Sequence, residues 1–163
     1  MCIRDRGGSA PVVWEDQVWM TSAGQDGKSL HALCVERASG RVIHNVTVLQ
    51  PQDVGSRHQL NGYASPTPVL DGERVFVHFG PRGTVCLNTD GKILWKNTSL
   101  PIAALQGAAS SPILHEDLLI LTCDGTDVQF LAALDKQTGK VRWQQPRQHL
   151  EQASQRGPLA RMA

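Results

Sequence analysis

Three stretches of the chain copy one another, and a repeat of several tens of residues constrains the fold more than any single motif. Residues 9–46 open with S-A-P-V-V-W-E-D-Q-V-W-M and close on A-S-G-R-V-I-H. Residues 64–98 carry S-P-T-P-V-L-D-G-E-R-V-F-V and close on T-D-G-K-I-L-W. Residues 110–146 carry S-P-I-L-H-E-D-L-L-I-L and close on Q-T-G-K-V-R-W. Pro11, Pro68 and Pro112 open the units, and an acid follows at Asp16, Glu73 and Asp117. The pairs Glu15-Asp16, Gly72-Glu73 and Glu116-Asp117 lie between two apolar runs, where a tight hairpin turn belongs. Gly40, Gly91 and Gly139 mark a second turn near the end of each unit, because glycine reaches positive φ without a Cβ penalty. Each unit therefore reads as four short strands. In the third they are expected at Pro112–Leu114, Leu118–Cys123, Gln129–Asp135 and Lys140–Gln144. No unit shows helical periodicity over ten or more residues. The pattern predicts an all-β fold, a partial β-propeller of three four-stranded antiparallel blades. A β-helix has shorter rungs, and a sandwich does not repeat its own sequence.

Composition removes several function classes. Hydrophobic residues make up 40% of the 163, enough for a core, and 16 basic against 15 acidic residues leave a net charge of +1. That balance lacks the concentrated basic face of a nucleic-acid binder. The longest apolar run, around Leu118–Thr122, is far too short to span a membrane. MCIRDRGG at the start is charged but has no apolar segment behind it, so it is not a signal peptide. Residues 1–8 are expected to be a non-native or disordered leader, and 147–163 a polar tail without a fourth copy of the unit. Cys2, Cys34, Cys86 and Cys123 form no C-x-x-C spacing, and the six histidines form no H-x-H or H-E-x-x-H arrangement. Cys34 and Cys86 hold equivalent places where the third unit has Ala133, as suits small residues in a packed strand.

With the register set, A-L-D-K-Q-T-G-K-V-R-W at Ala133–Trp143 resembles the repeat of the pyrroloquinoline-quinone (PQQ)-like β-propellers. The second unit matches it as L-N-T-D-G-K-I-L-W, one residue shorter in the turn. The first is weaker, with His44 in the aromatic position. The superfamily includes quinoprotein dehydrogenases and the lipoprotein subunit of the outer-membrane barrel-assembly machine. The resemblance implies that Trp95 and Trp143 dock on the adjacent blade, with His44 a poorer strut. It also implies further blades of the same chain, since three units do not close a ring, and a place in the periplasm or cell envelope.

Propeller function sits on connections at one face and at the central channel. The longest irregular segment, Thr47–Tyr63, gathers Arg57, His58, Asn61 and Tyr63, a polar and aromatic set suited to hydrogen-bonding a ligand. A solvated loop with an Asn-Gly turn accounts for the same residues. Asp124 and Asp127 flank a glycine and offer oxygen donors to a hard cation, but their spacing departs from calcium loops, and Asx-turn chemistry explains them equally. Gly80-Pro-Arg-Gly83 reads as a hairpin turn only. The quinoprotein dehydrogenases of the resembling family bear a disulfide between adjacent cysteines, a calcium site and a catalytic aspartate. This chain has no Cys-Cys pair and no aspartate that aligns with the catalytic one. No catalytic or metal residue is assigned, and PQQ and calcium are expected only from other blades of a complete protein. The sequence thus favours a non-catalytic scaffold or binding disc for a protein or extended peptide. The alternatives are part of a PQQ- and calcium-dependent dehydrogenase and a saccharide-binding disc that uses Tyr63.

Overall fold

The computed structural model describes residues 8–58, 61–100, 102–104 and 106–147. Of the expected leader and tail, only Gly8 and Arg147 fall within these residues. Twelve strands form three separate four-stranded antiparallel meanders, each in sequential order. The first sheet holds β1 (Val12–Trp14), β2 (Gln17–Ala23), β3 (Leu30–Glu36) and β4 (Val42–Leu49). The second holds β5 (Val69–Leu70), β6 (Arg74–His78), β7 (Thr84–Asn88) and β8 (Ile93–Asn97). The third holds β9 (Ile113–His115), β10 (Leu118–Asp124), β11 (Gln129–Asp135) and β12 (Val141–Pro146). Among the described residues there is no α-helix, only a single 3-10 turn at Gly80–Arg82. These are the blades expected from the repeat.

Local chemistry accounts for the turns. β1 and β2 are joined by two residues, with Trp14 opposite Gln17. Glu15 and Glu116 have φ of 51° and 50°, and Gly72 has 97° at the matching place. A two-residue hairpin that follows the twist of its strands needs positive φ, so the second unit uses glycine where the others tolerate glutamate. At the second turn, the N–H groups of Gly40 and Gly139 bond the carbonyls of Glu36 and Asp135, four residues back. Gly91 bonds Asn88, three residues back, which is how the shorter turn of the second unit is absorbed.

The sheets pack face to face in sequence order. In the second sheet, Val75, Val77, Val85 and Leu87 share a core with Trp19, Ala32 and Cys34 of the first. Phe76 and Cys86 point the other way and share a core with Leu119, Leu121, Ala132 and Leu134 of the third. Successive strand residues face opposite sides, so a sheet buried on both faces needs continuous apolar runs such as R-V-F-V-H. Registers place equivalent residues in one row across each sheet: Trp19, Cys34 and His44; Phe76, Cys86 and Trp95; Ile120, Ala133 and Trp143.

Row ends meet the next sheet's turn glycine. A Cβ on Gly91 would stand 3.2 Å from the His44 ring, and one on Gly139 would stand 2.4 Å from the Trp95 indole. Trp95 Nε1 donates to the Lys136 carbonyl at 3.0 Å, and Asn97 Nδ2 donates to the Gly139 carbonyl at 2.6 Å. His44 itself stacks on Trp19, with centroids 5.8 Å apart. Lys136 Nζ also lies 3.5 Å from Asp71, an ion pair of two mostly buried side chains across the same boundary. Trp143 occupies the corresponding place in the third sheet, where it is 41% exposed.

The irregular segment after the first unit starts later than the sequence suggests. Thr47, Val48 and Leu49 continue β4 instead of opening the irregular segment. The alternation exposed Thr47, buried Val48 carries the strand on past the repeat motif.

Candidate functional site

In an up-and-down meander, alternate connections gather at one end. Here that end collects the β2–β3 turn, the long connection 50–68, the 3-10 turn between β6 and β7, the connection 98–112 and the β10–β11 turn. Tyr63 stands at their meeting point. Its ring rests on Gly27, whose φ is +72° and where a Cβ would fall 2.7 Å from Cε2 and Cζ. The Arg57 guanidinium carbon lies 4.8 Å from the ring centroid and that of Arg82 lies 5.1 Å from it. Guanidinium groups at such range are drawn to the negative face of the ring, more strongly where water is excluded.

The sequence-selected residues divide between two jobs. Arg57 and Tyr63 meet in this cluster. Asn61 binds the two long connections together: its Nδ2 donates to Gln106 O at 2.7 Å and to Ala108 O at 3.3 Å, while Oδ1 accepts from the Ser65 hydroxyl. Arg57 Nη1 donates to the Asn61 carbonyl at 3.0 Å. His58 is exposed, and its backbone N–H and carbonyl join the same network through Gln106 and Asn61.

Arg82 was missed by the sequence reading, which took residues 80–83 as a hairpin turn alone. The connection does join two strands, but it turns Arg82 inward until only 9% remains exposed. Nε and Nη1 of Arg82, and Nε of Arg57, are buried without a hydrogen-bond partner. Burial lowers the Arg82 pKa, opposed by Tyr63 and Asp53. Beside Arg82 opens a cavity of about 460 Å³, walled by Pro51, Val54, Gly55, Pro81, Ile102 and Ala104, with Asp53 also on its lining. The signal for Arg82 was slight: an arginine between two glycines in a connection that borders a long loop.

A second cavity of about 120 Å³ shares Pro81, Ile102 and Ala104 and reaches His78, Thr122 and Asp124. His78 is buried, its Nδ1 lies 2.9 Å from the Thr84 hydroxyl, and burial pushes its pKa down to about 4. A neutral imidazole is the form this pocket accepts.

Asp124 and Asp127 have separate partners. Arg147 Nη1 lies 2.6 and 2.8 Å from the two oxygens of Asp124, and Asp127 Oδ1 accepts from the Ala103 N–H at 2.9 Å. That backbone bond, with another from Val128, holds the Asp127 carboxyl below its ordinary pKa. Among the described residues no three His, Cys, Asp or Glu side chains are grouped to ligate a metal. Cys34, Cys86 and Cys123 are free, buried thiols in three different sheets, with burial pushing their pKa values up to about 11, 12 and 11. Among the described residues this donor set does not fit the calcium and adjacent-cysteine cradle of a quinoprotein centre.

Solved structures share the fold at low identity. A europium-containing methanol dehydrogenase superposes with a TM-score of 0.64 at 16% identity, over 89% of this chain and 27% of its own. The quinohemoprotein alcohol dehydrogenase from Comamonas testosteroni gives 0.60 at 18%, over 86% of this chain and 21% of its own. BamB from Moraxella catarrhalis gives 0.58 at 14%, over 85% of this chain and 38% of its own. The chain thus spans well under half the length of each. No curated protein sequence matches it. The family model described as outer membrane protein assembly factor BamB matches residues 28–163. On that match, which takes in most of the chain, and on its three four-stranded blades, the protein belongs to this PQQ-like β-propeller family.

Proposed function

We propose that the chain is part of a non-catalytic propeller of the cell envelope, which serves outer-membrane protein assembly by presenting its loop face to a protein partner. The observation that carries this reading is the family match over residues 28–163. The site chemistry agrees with it. The loop face holds a cation–aromatic cluster and an apolar-walled cavity, which are features of recognition, while Asp124 is paired with Arg147 and Asp127 accepts a backbone N–H. No described helix is long and apolar enough to cross a membrane.

The test is genetic and biochemical together. Expressed with an export signal in a diderm bacterium that lacks its own assembly factor, the propeller with all its blades is expected to raise the level of folded outer-membrane barrels, read by heat-modifiable gel migration. Barrel levels that stay low would defeat the assembly reading. The structural likeness to dehydrogenases keeps a second reading in view, a quinoprotein whose cofactor site lies in other blades. It requires dye-linked alcohol oxidation, after addition of PQQ and calcium, by the purified protein with those other blades present.

A further inference from the structure

We propose that the cavity beside Arg82 binds a carboxylate group, with the Arg82 guanidinium as its counter-ion and the Tyr63 ring as the platform that holds that guanidinium in place. A guanidinium carries five N–H donors and is always charged, so burying it without acceptors costs more than leaving a neutral group unpaired. Arg82 is nine-tenths buried, yet Nε and Nη1 find no acceptor. The ring of Tyr63 offsets part of that cost. Asp53 acts only through space, and its Oδ1 already accepts from the Gly55 N–H at 2.8 Å. An acceptor from outside the described residues would complete the site. Arg82 itself lines the cavity, and a Cβ built on Gly55 would lie 3.5 Å from its Nη2, so Nη2 is the end of the guanidinium nearest the Gly55 wall.

Charge and shape select a monoanion on an apolar stem. Arg57 and Arg82 contribute two positive charges and Asp53 one negative, which leaves about one to be matched. A phosphate dianion would be repelled twice by Asp53 and would lack donors for its further oxygens. The walls are Pro51, Val54, Pro81 and Ile102, which suit methylene groups. A volume of about 460 Å³ lies in the range of small-ligand sites. The carboxylate can come from a free organic acid or from an acidic side chain of a bound polypeptide. The site does not depend on the assembly role, and its test reads binding directly.

The experiment follows the arginine side-chain ¹⁵Nε–¹H resonances of the full chain during titration with butyrate, with the tripeptide acetyl-Ala-Glu-Ala-amide, and with butyramide and inorganic phosphate as controls. Butyrate or the tripeptide is expected to shift the Arg82 resonance saturably, and butyramide is not. Whichever of the two binds more tightly identifies the source of the carboxylate. Arg82→Gln should weaken binding by roughly tenfold or more, the scale of one charge-assisted hydrogen bond. Exposed Asp53, which lies outside any core, provides the variant that does not threaten folding. Asp53→Asn should tighten binding about threefold at low salt by removing a like charge. Absence of an Arg82 shift with both carboxylates, equal binding of phosphate, or weaker binding by Asp53→Asn would each overturn the proposal.

Discussion

Gly139→Ala is expected to destabilise the full chain by about 3 kcal/mol, with most of that loss at the boundary between the second and third sheets. Two costs combine. The new methyl would meet the Trp95 indole at 2.4 Å, and the backbone φ of +70° is one that residues with a Cβ adopt only with strain. Trp95→Ala should cost a similar amount, about 3 kcal/mol, by opening a cavity against Phe76 and removing the bond to the Lys136 carbonyl. The two changes address one contact, so they should not add. With Trp95 already truncated, Gly139→Ala should retain only its conformational penalty of about 1–2 kcal/mol. Denaturant unfolding of the four proteins measures this coupling, and strict additivity would show that the indole and the turn glycine are not one joint.

His78 should make the protein acid-sensitive in a window where few carboxylates act. Its folded pKa is depressed to about 4 from the ordinary 6.5, so the native state resists the proton that the unfolded chain accepts. The stability from keeping this imidazole neutral is fully present above pH 6.5. It is lost as the pH falls through that value towards 4, by roughly 3 kcal/mol in total. Glu36, Asp127 and Asp135 also have lowered pKa values, but their stabilisation is lost only below about pH 4.5, so the windows separate. His78→Gln should flatten the pH dependence of stability between 6.5 and 4.5, measured against the parent protein. An unchanged slope would mean that His78 is protonated in the fold or exposed to water. The Thr84 hydroxyl lies 2.9 Å from Nδ1, and Asp124, which borders the same small cavity, is already paired with Arg147.

The repeat made the blades legible. A hairpin turn, a glycine turn and a two-sided apolar strand are local signals, and each recurs three times, so errors at one copy are corrected by the others. β11 falls at Gln129–Asp135 as read, and β9, β10 and β12 deviate only at their ends. Where the repeat motif stops, the reading weakened: β4 continues to Leu49 because alternation persists after the last recognisable residue. The loop residues were harder. Arg57 and Tyr63 were selected by composition and do meet, whereas Asn61, selected for the same reason, spends its amide on Gln106 and Ala108.

The sequence by itself determined the three units, their four strands and the family, because these depend on periodicity and turn chemistry along the chain. Only the tertiary structure decided which polar groups end up with partners. Arg82 becomes a buried cation because a connection from the second sheet folds beneath Tyr63 from the preceding loop, while Asp124 pairs with Arg147 and Asp127 accepts from the Ala103 N–H. Burial and pairing depend on groups far apart in the chain, and no local pattern encodes them.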